Sequence, residues 1–222
     1  TEVTEERQFT YHDSKYEWLE VTEDPVTVAY HGPVKRRAET VLSTIVETLN
    51  FMGPILGAGT EKPIRVTMYN NPKEMLDAQP PRSATLGREI SLLGEAFMQE
   101  GTLLVLADRQ AAGTASHEVT HILVDRAGQG IFHRIPSWLH EGLSEYGNVA
   151  PTISYDLALE FRLATNNLLD NFMFTRGVPG TTEDLIVFYG QARSLVELMI
   201  GRWGPAKMRE LMTATKSGKS ME

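Results

Sequence analysis

The segment Ala115-Ser116-His117-Glu118-Val119-Thr120-His121-Ile122-Leu123-Val124 carries two histidines four positions apart, with a glutamate directly after the first. On an α-helix, residues four apart share a face, so His117 and His121 can reach one metal ion while Val119, Ile122 and Leu123 form a core stripe. Glu118 lies about 100° further round the helix, beside a metal-held water rather than on the metal. Zinc accepts neutral imidazole nitrogen in a tetrahedral site, and a catalytic site keeps one position for water, whose pKa falls to ~7. In that place Glu118 is a general base that takes a proton from the water and passes it to a leaving amine. Two histidines and a glutamate on a buried helix are costly without a partner, and a metal is the partner that removes the cost. The pattern predicts a helix over about 114–127, with Thr114 and Ser116 as cap candidates and Gly128 at its end.

A second segment follows after a short loop: Pro136-Ser137-Trp138-Leu139-His140-Glu141-Gly142-Leu143-Ser144-Glu145-Tyr146, the opening of a helix expected over 137–148. Together the two segments resemble the gluzincin pattern of thermolysin-like and aminopeptidase N-like metallopeptidases. The nearest resemblance is to peptidase MA-like domains, whose signature is an H-E-x-x-H helix followed by W-L-x-E-G-x-x-E-Y. It covers roughly residues 85–215. It implies an α+β, zincin-like fold with an N-terminal mixed-sheet lobe bearing the zinc helix and a C-terminal helical lobe, and one Zn2+ per chain. By the same match Glu141 is the third metal ligand after His117 and His121. Glu145, one turn beyond Glu141, is either a partner that holds a ligand histidine in its tautomer or a solvated carboxylate. Phe188-Tyr189-Gly190-Gln191-Ala192-Arg193-Ser194-Leu195-Val196 resembles the helix on which aminopeptidase N-like enzymes carry a tyrosine that steadies the transition state. Tyr189 is therefore either that catalytic donor or a packing aromatic, and Tyr146 is a weaker candidate for the same part.

The remaining histidines read differently. His133 and His140 are expected on the surface or in loops, with His140 turned away from Glu141, and His12 and His31 lack a partner pattern. Asp125, four after His121, could orient a histidine or cap the helix end.

Outward from these motifs, Val26–Tyr30, Pro63–Tyr69, Glu89–Phe97 and Thr102–Ala107 read as strands, the last two joined as a hairpin near Glu100-Gly101. Helical periodicity runs from Pro33 to about Asn50, where Gly53-Pro54 should stop it, and again over 73–78, 154–169, 184–202 and 205–213. Thr181-Thr182-Glu183-Asp184 resembles a capping box. Residues 1–24 read as an extended arm, such as the end of a preceding β domain. Residues 25–222 read as the catalytic domain, with a sheet lobe to about 130 and a helical lobe from 131, cut short at the C-terminus.

The chain has 222 residues, 41% of them hydrophobic, a net charge of −8 and no cysteine. That balance argues against nucleic-acid binding, and the absence of cysteine excludes disulfides and thiolate metal sites. The basic cluster Lys35-Arg36-Arg37 reads as a solvated face, and no apolar run approaches the ~18 residues of a membrane span. The expected partner is a peptide or protein substrate. Zincin-like domains pair an extended peptide with an edge strand, and Thr102–Leu106 is expected to be that edge. Aminopeptidase N-like enzymes carry G-x-M-E-N here, whereas this chain has Gly94-Glu95-Ala96-Phe97-Met98-Gln99-Glu100, a departure that points to an endopeptidase. The alternative is a catalytically silent, zinc-binding interaction domain. The resemblance also implies an extracytoplasmic location.

Overall fold

The computed structural model describes residues 13–78, 94–128, 135–170, 174 and 177–219. Five strands form one mixed sheet: β1 (Trp18–Glu23), β2 (Val26–His31), β3 (Ile64–Tyr69), β4 (Gly94–Phe97) and β5 (Thr102–Leu106), in the order β1-β2-β3-β5-β4. β2, β3 and β5 run parallel, and β1 and β4 pair antiparallel on the two flanks. The interior strands β2 and β5 are buried almost throughout, as near-continuous apolar runs covered on both faces should be.

Two expectations change here. The arm gives way at Trp18, because β1 is in full register with β2, from Trp18 opposite His31 to Glu23 opposite Val26. Thr102–Leu106 is not an edge: β5 pairs with β3 on one side and β4 on the other. Among the described residues the edge beside β5 is β4. The hairpin joining them turns at Gly101, whose φ of 62° is the left-handed region glycine enters without strain. Of the strand expected from Glu89, residues 89–93 lie outside the described residues.

Helix α1 (Lys35–Leu56) crosses from β2 to β3, the long connection that a parallel pair needs. It runs through Gly53-Pro54 and ends only at Gly57, φ 70°. An interior proline costs about 3 kcal/mol. Burial of Ile55 and Leu56 just beyond it returns roughly 1.5–3 kcal/mol each, so the extra turn survives. The basic first turn of α1 is solvent-exposed, with Lys35 near Glu39 and an Arg37 guanidinium donating to the Ala107 carbonyl. Helix α2 (Pro72–Asp77) is capped by Asn71, whose side chain accepts from the Glu74 N–H at 3.0 Å.

Helix α3 (Ala111–Gly128) lies centrally, packed on α1, on β4 and β5, on α4 (Ser137–Gly147) and on α6 (Thr182–Lys216). It begins one turn before Thr114, so Ser116 sits inside the helix, where its Oγ accepts from the Val149 N–H at 3.0 Å. Helix α5 (Ile153–Ala164) stops short of 169, and Asn166 follows with φ 51°. The two helices expected over 184–202 and 205–213 form α6, bent at Gly204 (φ 79°) before Pro205 and capped by Thr181 accepting from the Asp184 N–H at 3.2 Å. One core cluster joins β2 and β3, α1, α3, α4 and α6, from Val28 and Ile45 through Val119 and Leu139 to Val196 and Met208. No helix among the described residues is long and apolar enough to cross a membrane.

Candidate metal centre

On α3, Val119, Ile122 and Leu123 are fully buried in the core, which turns His117 and His121 toward α4. α4 is fixed by Leu139 and Leu143, also fully buried, and by Gly142, where a Cβ would lie 2.6 Å from the Ala192 carbonyl oxygen of α6. That close approach sets the depth at which α4 presents Glu141 and Glu145.

Three donor atoms converge. His117 Nε2 and His121 Nε2 are 3.0 Å apart, and Glu141 Oε2 is 3.5 Å from each. Four-coordinate zinc with ligands at 2.0–2.2 Å holds neighbouring donors about 3.3 Å apart, so this triangle has the right size. Glu141 Oε2 is buried and lacks a hydrogen-bond partner, an orphan that a cation would satisfy. Among the described residues, His117, His121 and Glu141 are the group able to hold a metal ion.

Around them, Glu145 is 3% exposed, with Oε1 2.8 Å from His117 Nδ1, though the contact is not aligned as a straight hydrogen bond. It is no solvated carboxylate. Glu118 lies beside β4: a Cβ at Gly94 would fall 2.9 Å from Glu118 Cγ. Tyr189, on α6, has its ring 6.3 Å from His117 and stacked on Tyr155 of α5 at 5.2 Å. Tyr146 instead stacks on Phe51 of α1 at 5.8 Å, on the core side.

The electrostatics follow from burial among carboxylates. Burial pushes the Glu118 carboxyl up to about 7, with the neighbouring His117 charge opposing and Glu141 and Glu95 adding to the rise. Burial works against a charge on His117, but contacts with Glu141 and Glu145 outweigh it and hold the ring well above its usual range. Burial and the neighbouring His117 charge hold His121 well below it. The pair is coupled: the two ring nitrogens are 3.0 Å apart, so a positive charge on His117 works against one on His121. Burial also raises Tyr189, so its hydroxyl keeps its proton.

His140 departs from expectation. It is half-buried on α4, with Nδ1 2.7 Å from His121 Nδ1. The local spacing placed it correctly off the Glu141 direction but could not show that α3 passes on that side. His31 also has partners, Glu74 of α2 at 3.1 Å and a stacked Tyr16 from the bend before β1. Asp125 is half-buried, and the nearby His140 partly offsets the upward push of burial on its carboxyl. His12 and His133 lie outside the described residues.

The family model described as Peptidase MA superfamily matches residues 44–222, most of the chain and the whole of this centre. No curated protein matches the chain.

Proposed function

Because the chain belongs to the Peptidase MA superfamily, we propose that it is a zinc-dependent metallopeptidase, and an endopeptidase, with His117, His121 and Glu141 as metal ligands. The observation that carries this is the donor triangle of 3.0, 3.5 and 3.5 Å with the orphaned Glu141 oxygen at one corner. Zinc bound there supplies Lewis-acid chemistry, bringing the pKa of a water toward ~7 and polarising a carbonyl.

The chain's own residues supply the rest. Glu118 takes the proton of the attacking water on its carboxylate and delivers it to the leaving nitrogen as the C–N bond breaks. Its burial favours this shuttle, because burial works against a fixed negative charge on the carboxyl and so eases its protonation. Tyr189 donates its hydroxyl hydrogen to the substrate oxygen as negative charge develops there, and Tyr155 backs its ring. Glu145 holds His117 from the side away from the metal. Among the described residues β4 is the edge strand next to Glu118, and it is the place for an extended peptide to pair by its backbone. A β4 segment without G-x-M-E-N fits cleavage inside a chain rather than at its amino terminus.

The test is to digest an unstructured peptide library with the zinc-loaded protein and map the cuts by mass spectrometry. Internal cuts abolished by chelation are expected, with a loss of about 10²–10³ in kcat for Tyr189→Phe. Release of single N-terminal residues only would replace the endopeptidase reading with an aminopeptidase one.

A further inference from the structure

Zinc bound at this centre would meet His121 at Nε2, and the opposite corner of the ring, Nδ1, meets two side chains of α4. His140 Nδ1 is 2.7 Å away and Ser144 Oγ 2.9 Å. The two imidazole planes differ by 20° with centroids 4.7 Å apart. The near-parallel rings bring the two Nδ1 atoms within hydrogen-bond distance of each other. One hydrogen must lie between the two Nδ1 atoms, because two lone pairs repel at that distance. Geometry at His140 alone does not say which ring supplies it.

Ser144 breaks the tie. Its Oγ is also 3.0 Å from the His140 carbonyl oxygen, which can only accept, and a hydroxyl that donates there is left to accept from His121. A metal held at Nε2 needs the lone pair of that nitrogen, which puts the His121 hydrogen on Nδ1, where His140 Nδ1 and Ser144 Oγ both stand within reach to accept it. We propose that His140, together with Ser144, is a positioning residue that fixes His121 in its Nδ1–H tautomer and aims Nε2 at the metal. This rests on the metal-binding reading above. It gives α4 a double role beside the ligand Glu141: Glu145 backs His117 at Nδ1, while the i,i+4 pair His140 and Ser144 backs His121 at Nδ1. Imidazole ligands are held by such outer contacts, and losing one weakens metal binding by 10–100-fold.

The test is zinc affinity by competition with a chromophoric chelator, on variants that keep the wild-type circular dichroism, combined with long-range 1H–15N spectra of the zinc-loaded wild-type chain. His140→Ala should bind zinc 10–100-fold more weakly than wild type. His140→Asn, whose side-chain oxygen can accept the same hydrogen, should recover most of the loss, and the His121 ring should carry its hydrogen on Nδ1. The inference is overturned if wild type binds one zinc and His140→Ala binds it equally well. A zinc-loaded His121 that ligates through Nδ1 overturns it without reference to any variant. A wild-type chain that takes up no zinc overturns the parent reading, and this inference with it.

Discussion

His117 Nε2 lies 3.0 Å from His121 Nε2, and Glu141 and Glu145 hold the His117 ring well above its usual range, so zinc bound at that nitrogen would displace a proton. Zinc uptake at pH 7 should thus release about one proton from His117, read by calorimetry in buffers of different ionisation enthalpy. Glu118 gives a second residue-level outcome. Its folded pKa of about 7 lies above the ordinary 4.5. The folded metal-free chain therefore keeps a proton there that the unfolded chain gives up. That contribution is complete below about 4.5 and is lost as pH rises through 7. Glu118→Gln, neutral at every pH, should be more stable than wild type at pH 8, on the order of 3 kcal/mol, with the gap closing toward pH 4. Urea denaturation in the presence of a chelator measures it. His117, Glu118 and His121 were legible because i,i+4 spacing is set within one helix. His140 was not, since its partner belongs to another helix and only the α3–α4 packing brings them together.

At the scale of elements, the centre depends on how closely α4 approaches α6. Gly142→Ala puts a methyl 2.6 Å from the Ala192 carbonyl oxygen, which lies in a helix backbone and cannot swing aside. We expect about 1–3 kcal/mol of destabilisation and weaker zinc binding, because Glu141 and Glu145 shift with the helix. Paired urea and chelator titrations would show both. The strands and helices themselves followed well from periodicity, as for β3, where buried Ile64, Val66 and Met68 alternate with Arg65 and Thr67. Boundaries and pairings followed less well. Pro54 failed to end α1 because tertiary burial exceeded its local cost. β5 was mistaken for the edge because the alternation within a strand says nothing about how many neighbours it has.

Across the whole molecule, the core runs without a break from the sheet through α3 into α4 and α6. Sheet and helical halves should therefore unfold together in one transition, coincident by near- and far-ultraviolet circular dichroism. Zinc at 1,000 times its Kd should stabilise that unit by about 4.1 kcal/mol. At roughly 2–4 °C per kcal/mol for a chain of this size, the melting temperature should rise by about 8–16 °C and fall back on chelation. The central claim joins metal and base in one reaction, and the most direct measurement is peptide cleavage by wild type and Glu118→Gln at equal, measured zinc occupancy. The account predicts cleavage by wild type and a loss of at least about 10²-fold in the variant with zinc retained. Cleavage at the same rate in both, or none by a fully zinc-loaded wild type, would contradict it.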